Sequence, residues 1–377
     1  MYLSRLTLAS FKNYQEAELT FCPKINCFVG NNGSGKTNLL DAIHYLSFSK
    51  SYFNNIDGQN IRYGDDFFAI HGTYRHDGDA FQIHCTYRRN GRKTLKIDSK
   101  EYERLSEHIG RIPLIMIAPQ DQELVYGTAE CRRRFLDSVI SQFSRTYLDH
   151  LIAYNHALGQ RNHLLKQGMV DAALLDILDT QLAERGAAIL QERLTFIDAL
   201  QPYFSQYFND IAEERENPGM AYRSTAGDPE NYKAALTAAA EKDRFLQYTS
   251  VGIHRDDLLL TLDGHALKKT GSQGQQKSFL LSLRLAQWEY MTRQKHLHPI
   301  LLLDDVFDKL DKNRVYRLLK VVGEDHFGQV FISDTDPNRV ARIFELHPIE
   351  HRLFTLPFAD EPDDMADVPA EASDKIS

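Results

Sequence analysis

The sequence predicts an α/β fold: a phosphate-loop domain with an antiparallel β subsheet, split by a helical insertion that forms a second lobe. Three observations carry this reading. Gly30-Asn31-Asn32-Gly33-Ser34-Gly35-Lys36-Thr37 fits G-x-x-x-x-G-K-[ST], with an apolar strand-like run before it and a helix-like run after it. Pro299-Ile300-Leu301-Leu302-Leu303-Asp304-Asp305 reads as a fully buried parallel strand ending in two carboxylates. Between these, residues from about 129 to 213 change to a helical pattern.

Taken in order, the first 30 residues hold strand-like pairs (Leu6 and Leu8, Leu19 and Phe21) and then the run 25–29 that enters the loop. After the loop, Leu39, Leu40, Ile43 and Leu46 mark one face of a helix. Short β runs at 67–70, 81–87 and 94–97 are separated by turn signals at 76–79 and 90–91, so an antiparallel subsheet is expected. Residues 113–118 form a buried-strand candidate. In the insertion Leu174, Leu178 and Leu182 recur every four residues, and Ile189, Leu190, Leu194, Ile197 and Leu200 continue the face. Pro202 is expected to end or kink this helix. Residues 214–230 read as loop and 231–245 as another helix. The expected division is 1–128 and 249–358 as two parts of the nucleotide lobe, 129–248 as the helical second lobe, and 359–377 as a disordered acidic tail.

The chain has 377 residues, 42% apolar and 25% charged, as in a globular protein of two or three units. No apolar run of ~18 residues suits a membrane span. The first residues lack a basic region before a long apolar stretch, so no signal peptide is expected. Cys22, Cys27, Cys85 and Cys131 form no C-x-x-C pair, which points to a reduced, cytoplasmic protein without a cysteine metal site. A net charge of −8 argues against a polyanionic partner until position is considered. Residues 360–377 hold seven acids and one base, which leaves −2 on the rest of the chain.

The loop predicts its own chemistry. Gly30, Gly33 and Gly35 let backbone amides turn inward around a phosphate, with Asn31, Asn32, Ser34 and Asn38 around them. Lys36 would sit on the β and γ oxygens and Thr37 would give a hydroxyl to Mg2+. A lysine–oxygen charge pair at ~4 Å is worth ~4 kcal/mol before desolvation, at an effective dielectric of ~20. Asp304 would hold Mg2+, directly or through water, and Asp305 would orient or deprotonate an attacking water. Gly271-Ser272-Gln273-Gly274-Gln275-Gln276-Lys277-Ser278 opens an apolar helix. It reads either as a second anion-binding helix start, through Ser272, Gly274 and Gln275, or as an ordinary cap.

The order phosphate loop, long insertion, Ser272-Gln273-Gly274-Gln275 and Asp304-Asp305 resembles the ABC-type ATPases. In that class the signature turn of one subunit caps the γ-phosphate held by another, so the resemblance implies a head-to-tail homodimer closed by ATP. Gln120 resembles the Q-loop position, which would touch nucleotide and Mg2+, with Asp121 competing for it. The usual switch histidine is missing, and Ser333-Asp334-Thr335 stands in its place. Phe11-Lys12-Asn13-Tyr14 resembles an element of SMC-like ATPases, which would bring Lys12 and Asn13 near the nucleotide. With Arg132-Arg133-Arg134-Phe135-Leu136-Asp137, Gly252-Ile253-His254-Arg255-Asp256-Asp257-Leu258 and Leu302-Leu303-Asp304-Asp305-Val306-Phe307, the chain resembles the bacterial RecF family over about residues 1–355. Asp308-Lys309 departs from the family's Ser-Glu before Leu310-Asp311.

The resemblance implies an ATP-dependent DNA-binding protein of recombinational repair and replication-fork maintenance. It would bind duplex DNA near single-strand gaps, hydrolyse ATP weakly with stimulation by DNA, and assist RecA loading with RecO and RecR. Asp305 is one methylene shorter than the glutamate of transporters, which predicts slow hydrolysis. The residues themselves offer DNA two basic stretches, Arg88, Arg89, Arg92 and Lys93 in a compact turn, and Arg132 and Arg133 on a helix. A solvated hairpin and internal ion pairs explain the same residues. A nucleotide-gated scaffold that contacts only proteins is the alternative function. A transporter ATPase is disfavoured by the SMC-like element, and a small-molecule kinase would leave the turn at Ser272 idle.

Overall fold

A computed structural model describes residues 1–167, 171–212, 216–307, 312–322, 327–346 and 350–357. The sequence-predicted acidic tail and Asp308-Lys309-Leu310-Asp311 lie outside the described residues. The chain opens with a hairpin, β1 (Tyr2–Phe11) and β2 (Tyr14–Thr20), turned by Lys12 at φ 54° and Asn13. β3 (Ile25–Gly30) follows, buried along most of its length, then the loop and α1 (Lys36–Phe48). β4 (Phe67–His76) and β5 (Asp79–Arg88) form a second hairpin over Asp77 and Gly78, both at positive φ as a tight two-residue turn requires. β6 (Thr94–Ile97) and β7 (Lys100–Glu101) complete an antiparallel sheet of order β2-β1-β4-β5-β6-β7.

β8 (Leu114–Ile117) leads through α2 (Glu123–Tyr126) into the helices α3 (Ala129–Phe143), α4 (Arg145–Lys166) and α5 (Ala172–Ala212). One alternative is removed here and one expectation is corrected. α5 runs on for ten residues past Pro202. Leu200, Phe204, Phe208 and Ile211 are fully buried on either side of it. Burial at about 1.5–3 kcal/mol per side chain outweighs the ~3 kcal/mol proline cost. The stretch read as loop holds β9 (Pro218–Arg223), whose proline is tolerated because it starts an edge strand. After α6 (Tyr232–Leu246), β9 pairs antiparallel with β10 (Asp257–Leu262), and β11 (His265–Ala266) closes this three-stranded sheet.

The chain then returns through α7 (Leu267–Thr270) and α8 (Gln273–Lys295) to β12 (Ile300–Asp304), α9 (Lys312–Val322), β13 (Val330–Asp334), α10 (Pro337–Leu346) and β14 (His351–Leu356). The strands build a parallel sheet of order β14-β3-β13-β12-β8. Its side chains alternate between two cores. Phe28, Phe331, Leu302 and Met116 pack with α1, while Cys27, Ile332, Leu301 and Leu303 pack with α5 and α8. Burial on both faces accounts for the continuous apolar runs. The C-terminal ends of β3, β13 and β12 lie side by side, where open parallel sheets place ligands. Among the described residues no helix is long and apolar enough to cross a membrane.

Candidate nucleotide site

Gly35 is the N-cap of α1 at φ 100°, and no side chain caps the helix. A Cβ there would stand 2.6 Å from Asn13 Nδ2 and from the Tyr14 hydroxyl, so only glycine fits. The first-turn amides are left for an anion. Ser34 Oγ is buried without a hydrogen-bond partner among the described residues. Lys36 Nζ donates to the loop's own carbonyls, Gly30 O at 2.7 Å and Asn31 O at 2.8 Å, which take the place of phosphate oxygens. Burial pushes the Lys36 ammonium below its ordinary pKa, against the attraction of Asp305, Asp304 and Asp334.

Thr37 Oγ1 donates toward both oxygens of Asp304, at 3.0 and 3.1 Å. Ser333 Oγ donates to Asp304 Oδ1 at 2.7 Å and accepts the Asp305 amide at 3.0 Å. Burial raises the Asp304 carboxyl, and hydrogen bonds from Ser333 and Thr37 with the Lys36 charge pull it back. Asp305 sits at φ 49°, a left-handed conformation uncommon outside glycine that turns it out of the strand. A buried hydroxyl without a partner, open helix amides, one lysine and a hydroxyl–carboxylate pair of hard oxygens fit a triphosphate with Mg2+. Thr37 and Asp304 would hold the ion, which when bound neutralises phosphate charge.

The remaining sequence-predicted residues fall in different places. Asn38 Nδ2 donates to Asn13 Oδ1 at 2.6 Å, which ties the first hairpin to α1. Lys12 pairs with the buried Asp41 at 2.5 Å. Gln120 is exposed and lines a cavity of about 530 Å³ between α1, β8 and α3. Gln122 lines the smaller cavity of about 190 Å³ that holds Asp304, Asp305, Asp121 and Lys277. Along the 3-10 turn Pro119–Gln122, Gln120 lines the larger cavity while Pro119 and Gln122 line the smaller, an arrangement invisible to counting from the strand end.

Ser272 and Gln275 form a reciprocal capping box at α8, with the Ser272 hydroxyl accepting the Gln275 amide at 3.2 Å and Gln275 Oε1 accepting the Ser272 amide at 2.6 Å. Gln275 Nε2 also donates to Glu216 at 2.5 Å. A Cβ on Gly274 would meet the Arg314 guanidinium at 2.5 Å, so the turn is shaped around that cation.

One network was not visible in the sequence. Asp41 accepts Ser51 Oγ and the Tyr52 amide at 2.6 and 2.7 Å. The Tyr52 hydroxyl donates to Asp121 at 2.6 Å, and Arg284 of α8 holds the same Asp121 at 2.5 Å. The helix after the phosphate loop is thereby linked to the helix after the serine turn. Asp121 and Arg284 lie far along the chain from Asp41, Ser51 and Tyr52, and the five share no motif spacing.

The basic candidates divide. Arg88, Arg89 and Arg92 are exposed, with Arg92 3.5 Å from Glu101 and Arg89 3.6 Å from Asp66. Lys93 is held by Asp57 at 2.8 Å. Arg132 grips Asp257 with two bonds of 2.7 and 3.1 Å and also donates to the carbonyls of Leu124 and Gly127. Arg133 donates to Asp256 O at 2.7 Å. These last three serve internal contacts.

The family model for the RecF/RecN/SMC N terminal domain matches residues 2–351. A protein of Parabacteroides distasonis named DNA replication and repair protein RecF is 44% identical over 354 residues, covering 94% of this chain and 97% of that one. The Flavobacterium johnsoniae protein of the same name is 44% identical over 363 residues, covering 94% of this chain and 100% of the other. Among solved structures, the recombination mediator protein RecF-ATPrS in the RecFOR pathway matches with TM-score 0.85 and 29% identity, over 94% of this chain and 96% of that chain. An Smc head domain from Pyrococcus furiosus shares the fold at TM-score 0.54 and 15% identity, over 90% of this chain and 91% of its own.

Proposed function

Because this chain belongs to the RecF family, we propose that it is an ATP-switched DNA-binding protein of recombinational repair, acting in the cytoplasm. The observation that carries the nucleotide part is the triad at the sheet's end. Lys36 lies on the loop's carbonyls, and Thr37 lies 3.0 Å from Asp304 beside the loop. Relatives solved with ATP and with ATPrS support a triphosphate as the ligand.

Each chain supplies one phosphate loop and one serine turn, so two chains in head-to-tail pairing would close two sites. The Ser272 turn of one protomer would cover the γ-phosphate held by its partner, and ATP would act as glue. The dimer would bind duplex DNA at single-strand gaps mainly through its backbone, with Arg88, Arg89 and Arg92 among the contacts. Hydrolysis, slow because Asp305 is a short acid, would release it. The relatives' place in the RecFOR pathway supports cooperation with RecO and RecR, and through them RecA loading.

Sedimentation with Mg-ATP, with ADP and without nucleotide, repeated with a gapped duplex, tests the switch. A dimer is expected with ATP alone, tightened by DNA, and absent in Lys36→Ala. A chain that stays monomeric at saturating Mg-ATP yet binds duplex normally would overturn the proposal.

A further inference from the structure

We propose that His71 and His84 form a binding site for a divalent transition-metal ion, on the face of the antiparallel sheet turned away from α1. β4 and β5 pair antiparallel, and His71 stands directly opposite His84 in register. Side chains alternate along a strand. Ile70, Tyr74, Ile83 and Cys85 are buried on the side that packs with α1. His71 and His84 therefore share the other side, each half-buried. Their rings stack with centroids 3.7 Å apart and planes inclined by 28°. Two donors on one tetrahedral ion lie about 3.3 Å apart, given Zn–N distances of about 2.0–2.1 Å. Histidine χ2 is a broad torsion, so a turn of each ring out of the stack aims one nitrogen of each at a shared ion.

His71 Nε2 is buried and has no hydrogen-bond partner among the described residues. Buried polar atoms of native proteins normally have partners, and an orphan asks for a bound water or ligand. His84 Nε2 lies 3.3 Å from Gln82 Oε1. That is the separation two donors adopt on one ion, so a metal fits where the shared proton now sits, with the carboxamide oxygen as a third donor. Metal binding also needs imidazoles free of a second proton. At His71 burial lowers the pKa first, then the neighbouring His84, with the Gln82 side chain opposing and Arg5 adding a smaller push down. At His84 burial again comes first, followed by Lys96, with Asp98 opposing. Both rings are thus neutral at pH 7. Lys96 stands in register with His84 and repels a cation, and the Asp98 charge offsets it.

Among the described residues no group of three histidines, cysteines or carboxylates is placed to hold a metal. Water therefore completes the shell around the two imidazoles, and the ion is exchangeable. Imidazole suits Zn2+, Ni2+ and Cu2+, whereas Mg2+ and Ca2+ prefer oxygen donors. The bound ion staples β4 to β5, the hairpin whose second strand leads into the basic turn at Arg88.

Calorimetric titration of the full chain with Zn2+, in excess Mg2+ to fill the nucleotide site, tests the pair. Wild type should take up one equivalent more than the double variant His71→Gln, His84→Gln. Each single replacement should weaken that equivalent by at least about tenfold, since even the loss of an outer-shell partner costs about 10–100-fold in metal affinity. If the glutamine pair does not fold by circular dichroism, His71→Thr with His84→Thr serves instead, because a β-branched residue suits a strand. Equal Zn2+ uptake by wild type and a folded double variant would overturn the proposal. A single replacement that leaves the affinity unchanged would do so too, because one imidazole would then suffice. Displacement of the extra Zn2+ by further Mg2+ would mark an oxygen site elsewhere and would also overturn it.

Discussion

Ser333→Ala should move the acid limb of ATP hydrolysis to higher pH. The hydroxyl is 2.7 Å from Asp304 Oδ1, and Ser333 is only 1% exposed, so water does not replace it readily. Burial already raises the Asp304 carboxyl, and the Ser333 hydrogen bond is the first of the contacts that lower it. A hydrogen bond to a charged group is worth about 1.5–3 kcal/mol, and 1.36 kcal/mol corresponds to one pKa unit. Removing the hydroxyl should therefore raise the Asp304 pKa further, by as much as that hydrogen bond holds it down. Activity needs the ionised carboxylate beside Thr37, so it is present above this pKa and lost as pH falls through it. The limb in kcat/KM, which reports the free enzyme, should shift upward by the same amount. The plateau should fall as well, because the Asp305 amide loses its 3.0 Å acceptor. Ser333→Thr, which keeps the hydroxyl, should restore the limb. Superimposable acid limbs in wild type and Ser333→Ala would refute the reasoning.

Arg284→Met should destabilise the fold by about 3–5 kcal/mol in urea unfolding, because it strands the Asp121 carboxylate, itself 4% exposed. A cost below about 1 kcal/mol would contradict a buried pair. Gly35→Ala should weaken ATP binding at least tenfold by calorimetry, since φ 100° and a 2.6 Å contact with Asn13 both oppose a Cβ. Normal affinity would show that the loop can rearrange. Arg132→Ala should lower stability by about 3 kcal/mol and leave the salt dependence of DNA binding unchanged, because its guanidinium is held by Asp257. Arg92→Ala should leave the melting temperature unchanged and reduce the slope of log affinity against log salt by about 0.9. The reverse assignment of slope between these two variants would show that the helix arginines meet the phosphates.

Legibility in the sequence followed the range of the interaction. The phosphate loop, its flanking strand and helix, and the two-acid strand are local patterns, and local patterns survive in a linear reading. β9 was missed because Pro218-Gly219 signals a turn, while its pairing with β10 lies some 40 residues away. Pro202 does not end α5, because a local breaker is outweighed by a packed face that no window around it reveals. Gln120 and Gln122 are two residues apart, yet a 3-10 turn decides which of them lines the cavity beside the acid pair. Arg132 shows the same limit for charge. A run of arginines looks like a phosphate patch until Asp257, 125 residues on, is found holding one of them.

The order of strands also bears on when the molecule becomes competent during synthesis. The strand entering the phosphate loop is made long before both of its neighbours, β13 and β14. Leu356 O would clash with a Cβ on Gly30, so β14 closes directly on the loop's first residue. A nascent chain stopped before residue 330 would contain the whole motif with two bare strand edges. Such a fragment is expected to capture no nucleotide, and the newborn protein would thus stay silent until β13 and β14 have been made.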